Sequence, residues 1–226
     1  KSIFTNILIG ISVISGSTLA FFQIFFSETK RYTVSFLDYL IALKRVLLKN
    51  GLPIQIINYV TSRCNLRCNH CFYKETLDKK DPGEISKELL VDTAQKMKPL
   101  LWYSMAGGEP FIRSDLDEII SEIQTKVRPK VFSLPTNGWY TNRTFQTTLK
   151  VLQKLKRGNF MLFFSIDGDE KTHDEIRGRK ESWRRAMDGL KNIQEVGIDP
   201  YLNITVGHYN AFNPDFEELL KYSKNI

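Results

Sequence analysis

The 226 residues carry a net charge of +7 and a pI of about 9.2. No arginine-rich block with interleaved aromatics accompanies that charge, so no nucleic-acid partner is expected. The length suffices for one sizeable core, or a core with an appendage, and the basic excess reads first as a solvated surface and second as attraction to an anionic membrane face or acidic substrate.

The chain begins at Lys1 rather than Met, which reads as a fragment or a processed product. From Ile3 to Phe26 no residue is charged. At about 1.5 Å per residue that run is long enough to cross a hydrocarbon layer of about 30 Å. Thr5, Asn6, Ser12, Ser15, Ser17, Thr18 and Gln23 interrupt it. The first reading is an N-terminal hydrophobic helix acting as a transmembrane anchor over residues 1–30; a buried packing helix is the alternative. A cleaved signal peptide is disfavoured, because export would carry the cysteines discussed below into an oxidising space. Lys1 stands alone before the run, whereas Lys30, Arg31, Lys44 and Arg45 follow it, which places the remainder of the chain on the cytoplasmic side by the positive-inside rule. If no anchor is present, a cytoplasmic location is expected.

Residues 31–51 form a connecting segment. Phe36, Leu37, Leu40, Ile41, Leu43, Leu47 and Leu48 recur at helical spacing, with Lys44 and Arg45 between them. This pattern predicts an amphipathic helix from Ser35 to Lys49 that either lies on a membrane surface or covers the base of the following domain. Asn50-Gly51 stops it.

From Leu52 onward, strands and helices alternate. Strands are predicted at Ile54–Val60, Leu101–Met105, Val131–Leu134, Phe160–Ile166 and Tyr201–Val206. Helices are predicted at Ser86–Lys98 (cap Ser86), Ser114–Lys126 (cap Ser114), Thr144–Lys156, Ser182–Val196 and Pro214–Tyr222. Such alternation implies parallel pairing with right-handed crossovers. Each polar motif described next falls at the C-terminal end of a predicted strand, where parallel α/β barrels carry their active sites.

The most informative motif is Cys64-Asn65-Leu66-Arg67-Cys68-Asn69-His70-Cys71, which holds every cysteine of the chain. Three clustered cysteines do not read as a disulfide framework, and thiolates meant for metal need a reducing compartment. This spacing can aim three thiolates at one metal centre, leaving one iron of a cubane cluster free of cysteine. A zinc site completed by His70 is the alternative, weakened because His70 directly precedes Cys71 and adjacent residues rarely converge on one small ion. Asn65 and Arg67 are placed to tune such a centre by hydrogen bonds or charge.

The triplet followed by Phe72 resembles the signature of the radical S-adenosylmethionine (radical SAM) superfamily. Gly107-Gly108-Glu109-Pro110, Thr136-Asn137-Gly138, Ser165-Ile166-Asp167-Gly168 and Ile176-Arg177-Gly178 follow in that family's order. The resemblance covers Leu52 to the C-terminal end and implies a partial (β/α)6 barrel, of which about five strand–helix units are present. The sixth strand and any C-terminal domain would lie beyond residue 226. It further implies that Cys64, Cys68 and Cys71 ligate a [4Fe–4S] cluster and that the remaining iron chelates SAM. Phe72, Gly107, Gly108, Glu109, Asn137, Ser165, Asp167 and Arg177 are then expected around SAM, with Glu109 on its amino group, Ser165 on its ribose or carboxylate, and Arg177 on its carboxylate. Asp167 would contact substrate or hold its loop. The alternative for Arg177 is a surface ion pair with Asp174 or Glu175. His173 is expected to be structural, and His208 and Asn210 are weaker candidates near the adenine.

The implied chemistry is reductive cleavage of SAM by an electron from an external reductant of flavodoxin or ferredoxin type. The 5′-deoxyadenosyl radical so formed abstracts hydrogen from substrate. The Ser-Ile-Asp-Gly and Ile-Arg-Gly elements resemble most the branch that modifies peptides and proteins or matures cofactors. A peptide or protein substrate ranks ahead of a lipid or membrane-associated one. A zinc-binding module and a non-catalytic, membrane-tethered iron–sulfur protein are the competing classes.

Overall fold

A computed structural model describes residues 34–48, 52–77, 84–155 and 160–212, together with Glu217 and Leu219. The expected anchor over residues 1–30 and most of the helix expected at Pro214–Tyr222 lie outside these residues. Among the described residues no helix is long and apolar enough to cross a membrane.

The elements run α1 (Phe36–Leu47), β1 (Gln55–Thr61), α2 (Lys87–Lys96), β2 (Trp102–Gly107), a 3-10 turn (Pro110–Ile112), α3 (Leu116–Lys126), β3 (Val131–Thr136), α4 (Thr141–Leu152), β4 (Phe160–Ser165), α5 (Glu170–Arg177), α6 (Ser182–Glu195) and β5 (Tyr201–Asn203). The five strands form one parallel sheet in sequential order. With right-handed crossovers, sequential order puts every intervening helix on the same face. The α/β barrel architecture expected from the sequence is therefore present as five strands.

Alternation along the strands divides the sheet into two faces. Val60, Tyr103, Met105, Phe132, Leu134 and Phe164 point toward the helices and pack in one core with Leu90, Ile119, Ile120 and Leu190. The rings of Tyr103 and Phe132 stack at 5.4 Å. The opposite face carries Ile57, Tyr59, Ser104, Ser133, Phe163 and Tyr201, with Ile57 and Tyr59 open to solvent. Ser104 and Ser133 are register partners, and their hydroxyls meet at 2.8 Å under the Trp102 indole, which donates to Ser133 Oγ.

Several boundaries differ from the sequence reading for identifiable reasons. Ser86 does cap α2, accepting from Leu89 N–H, but Ser114 does not cap α3. The N-cap there is Asp115, whose carboxylate is held instead in a bidentate pair with Arg113. β3 runs through Pro135 to Thr136, although proline donates nothing to a ladder. β5 stops at Asn203 rather than Val206 because the next residues are captured by Asp167 and Asn210. α5 is a helix where the sequence pattern predicts none; Asp169 caps it by accepting from Thr172 N–H, and Gly178 ends it at φ 68°, a conformation costly for residues bearing a Cβ.

α1 lies beneath the N-terminal ends of the strands. Ser35 and Asp38 close a reciprocal capping box at its start. Asp38 pairs with Lys130 at 3.1 Å, just before β3, and Arg45 donates to the carbonyl of Pro99, just before β2. Its one buried residue is Ala42.

Candidate active site

The cysteine, Gly-Gly-Glu-Pro, Thr-Asn-Gly and Ser-Ile-Asp-Gly motifs sit at the C-terminal ends of β1 to β4, and Ile176-Arg177-Gly178 ends α5 beside them. The loop after β1 carries the cysteines. Its backbone N–H groups at Arg67 and Asn69 donate to the carbonyls of Arg177 (3.2 Å) and Ile176 (2.8 Å), which end α5. The last carbonyls of a helix have no partner inside it, so the cysteine loop completes α5 and α5 completes the loop.

The Gly107-Gly108-Glu109 turn is zipped to the same loop. Gly108 N–H donates to Thr61 carbonyl and Glu109 N–H to Arg63 carbonyl, both at 2.8 Å. A Cβ on Gly108 would fall 2.1 Å from the Arg63 carbonyl oxygen and 3.1 Å from Cys64 Cβ. The close approach that glycine permits here is thus to the cysteine loop itself.

Glu109 is fully buried, and its carboxylate accepts from Phe111 N–H (3.1 Å), Thr136 Oγ1 (3.0 Å) and Asn137 N–H (2.7 Å). It braces the loop after β2 against the loop after β3. Burial pushes its carboxyl up to about 7, against the pull of those donors toward the charged form.

Asn137 reaches further. Its Nδ2 donates to Asn65 Oδ1 at 3.0 Å and lies 3.8 Å from Cys64 Sγ, while its Oδ1 accepts from Trp139 N–H. Trp139 is covered by the guanidinium groups of Arg179 at 3.6 Å and Arg185 at 4.3 Å. Arg179 also donates to the Asn65 carbonyl. Asn65 is therefore gripped from two loops.

Asp167 and Arg177 form a buried ion pair, Nε to Oδ2 at 2.7 Å. Arg177 Nη1 also lies 3.7 Å from Cys68 Sγ. The surface alternative with Asp174 or Glu175 does not occur: Asp174 instead caps α6, accepting from Glu181 N–H, Ser182 Oγ and Trp183 N–H. The other polar atoms of Asp167 hold its surroundings. Oδ1 accepts from Thr205 N–H, its carbonyl accepts from Asn210 Nδ2, and its N–H donates to His173 Nδ1. His173 and Asn210 are thus structural. His173 is neutral, with burial and then the Arg177 charge holding it down at about 4.

The residues left free to meet a ligand are fewer. Ser165, at the end of β4, makes no side-chain hydrogen bond among the described residues and faces away from the helices, beside Asn203. Phe72 is 77% exposed and forms an aromatic group with Tyr59 (6.0 Å) and Tyr73 (4.6 Å) at the edge of β1.

The donor set fits an iron–sulfur cluster. Burial pushes the Cys64 thiol up to about 11, with Glu109, Cys68 and Cys71 adding like charge, and burial raises Cys68 as well, so thiolates at these two positions need a cationic partner. Binding such a partner releases their protons. Leu66 N–H, Asn137 Nδ2 and Arg177 Nη1 already point at the sulfurs of Cys64 and Cys68, the kind of outer contact that holds and tunes a metal centre.

Sequence reading missed Arg113, which is buried and donates to the carbonyls of Val60 and Ile85 while pairing with Asp115. It missed the Arg179–Trp139–Arg185 stack as well. The Val60 and Ile85 carbonyls that hold Arg113, and the rings and guanidinium groups of the stack, come from distant loops and leave no local signature.

Comparison with known proteins agrees with this geometry. Residues 58–223 match the profile of the Radical SAM superfamily. The Fe-coproporphyrin III synthase of Methanosarcina barkeri is 34% identical over 181 residues, 78% of this chain and 43% of that protein. The sporulation killing factor maturation protein SkfB of Bacillus subtilis is 30% identical over 169 residues, 73% of this chain and 38% of that protein. The structure of Streptococcus suis SuiB bound to S-adenosylmethionine superposes with a TM-score of 0.61 at 22% identity, covering 85% of this chain and 45% of that one, and shares the fold. The chain spans less than half the length of these relatives. With three cysteines in one strand-end loop, donors aimed at their sulfurs and a profile match over most of its length, the chain belongs to the radical SAM superfamily, whose members are enzymes that use a [4Fe–4S] cluster and SAM.

Proposed function

We propose that the protein is a radical SAM enzyme acting on a peptide or protein. The observation that carries the catalytic reading is the cysteine loop docked between the Glu109 turn, Asn137 and the end of α5, beside an open sheet face. Cys64, Cys68 and Cys71 would hold three irons of a [4Fe–4S] cluster. When bound, that cluster with SAM would supply radical hydrogen-abstraction chemistry. The chain's own residues do the positioning. Ser165 would offer its hydroxyl to SAM, and Arg177, already paired with Asp167 through Nε, would offer an Nη to the SAM carboxylate. Gly107, Gly108 and Glu109 form the turn that would face the SAM amino group, and the exposed Phe72 ring would be available to the cofactor. A flavodoxin- or ferredoxin-type donor would supply the electron.

The substrate would lie on the face of the sheet turned away from the helices. Its strand side chains, including Tyr59, Ser104, Ser133, Phe163 and Tyr201, are uncharged, which suits a neutral reacting group. Similarity to SkfB supports a peptide substrate. Similarity to the Fe-coproporphyrin III synthase supports a second reading, a tetrapyrrole whose ring would lie against Tyr59, Phe163 and Tyr201. We further propose an N-terminal membrane anchor in residues 1–30 with the catalytic domain on the cytoplasmic side, supported by the uncharged run and the basic residues after it.

Anaerobic reconstitution of the full-length protein with iron and sulfide, then dithionite and SAM, tests the enzyme class by mass spectrometry. Release of 5′-deoxyadenosine and methionine supports it; bound zinc without cleavage overturns it. Transfer of deuterium into 5′-deoxyadenosine from a labelled peptide or a labelled tetrapyrrole then separates the two substrates.

A further inference from the structure

α1 exposes an unusual amount of apolar surface for a helix docked on a domain. Phe36 is 77% exposed, Leu37 63% and Leu47 68%, and Leu40, Ile41, Leu43 and Leu48 are also open. Successive residues of a helix lie about 100° apart. On that spacing Asp38, Ala42 and Arg45 share the side turned to the sheet, where Asp38 meets Lys130 and Arg45 meets the Pro99 carbonyl. Phe36, Leu40, Leu43 and Leu47 fill the opposite side, with Leu37, Ile41 and Leu48 along one flank. Lys44 stands within this apolar side, exposed.

We propose that this face of α1 lies in the headgroup region of an anionic phospholipid bilayer. The position of Lys44 decides between occupants. Against a second copy of α1, or against the uncharged run Ile3–Phe26, its ammonium would be buried with no acidic partner, because α1's one acidic residue is committed to Lys130 and the run has none. A buried, unpaired charge is costly. At a bilayer surface the lysine stem lies along the acyl boundary and the ammonium reaches a lipid phosphate. Between the uncharged run and α1 in sequence, Lys30 and Arg31 outnumber Glu28 and leave a net charge of the same sign. The inference concerns α1 alone and holds whether or not residues 1–30 cross a membrane.

Its geometric consequence is orientation. α1 sits under the N-terminal ends of the strands, whereas the cysteine loop sits over their C-terminal ends. A bilayer against α1 leaves the open end of the barrel facing water, so substrate and reductant arrive from the aqueous side.

The test places a reporter on the face. In the full-length protein, Leu40→Trp is mixed with phosphatidylcholine–phosphatidylglycerol vesicles whose acyl chains are brominated near the headgroup, and the parent protein with its three tryptophans is the control. Quenching confined to Leu40→Trp is expected. Replacing Lys44 by Gln in the same background weakens vesicle partition about fivefold, and pure phosphatidylcholine vesicles weaken it further. Vesicle-bound protein whose introduced tryptophan is not quenched overturns the proposal while leaving the anchor intact. Blue-shifted emission from that tryptophan without vesicles overturns it in favour of a protein partner or second copy. Failure of the protein to bind vesicles overturns both membrane readings.

Discussion

At the C-terminal ends of the strands, polar side chains are buried and committed to one another: Glu109 takes three donors, Asp167 engages Arg177 and Thr205, and Asn137 reaches the cysteine loop. At the N-terminal ends the arrangement is reversed. α1 is apolar outward, and its polar ties to the domain among the described residues include the Asp38–Lys130 pair and the Arg45 hydrogen bond to the Pro99 carbonyl. The first end is over-determined, which keeps several loops from different parts of the chain in one geometry for chemistry. The second is sparsely tied, which suits a surface that adapts to a partner.

Four experiments would break or sharpen this contrast. The largest effect is expected at the metal site itself. Cys68→Ala removes one thiolate and should abolish cluster assembly, read as loss of iron, acid-labile sulfide and visible absorption after anaerobic reconstitution. A variant keeping the full iron and sulfide load would refute the ligand assignment.

Next comes the buried ion pair. Asp167→Asn keeps the shape but strands the Arg177 charge, at a cost of about 4 kcal/mol. That should lower the melting temperature by about 10 °C. A shift below about 2 °C would show that the pair is not buried in solution.

The third test is titration. His173 is held at about 4 in the fold, against about 6.5 when unfolded. Between those values the unfolded chain binds a proton that the folded one refuses, so stability falls as pH drops from about 6.5 to about 4. The loss reaches about 3 kcal/mol at about 1.4 kcal/mol per unit. In His173→Asn, whose Oδ1 can still accept from Asp167 N–H, chemical denaturation across that window should show a flatter slope.

The smallest effect belongs to the base. Asp38→Ala removes both the capping box and the Lys130 pair, yet α1 buries little, so global stability should change by no more than about 1 kcal/mol. A loss of several kcal/mol would mean that α1 is integral to the core.

The two ends are also unequally legible in the sequence. Strand periodicity and the cysteine spacing locate every loop of the site, because those signals are local. What they cannot show is which atoms are already occupied. Glu109 reads as a ligand-facing carboxylate and Asp167 as one that meets substrate or holds its loop; their partners Thr136, Asn137, Thr205 and Arg177, between 10 and 38 residues away, are encoded by no local pattern. α5 gives little sequence signal because it has few apolar residues: its buried residues are His173, Ile176 and Arg177, two of them polar. For α1 the helical repeat is plain, but a repeat cannot say whether an apolar face is covered.

The docking of the cysteine loop onto the end of α5 also has a bearing on biogenesis. Cys68 and its contact Arg177 lie 109 residues apart. While the chain emerges from the ribosome, the cysteines appear long before the helix that receives Arg67 and Asn69. Until α5 is made, the loop has only its contacts with the Gly108–Glu109 turn and Asn137, and lacks the carbonyls of Ile176 and Arg177. The complete seat for the cysteine loop therefore exists only once residue 177 has been made.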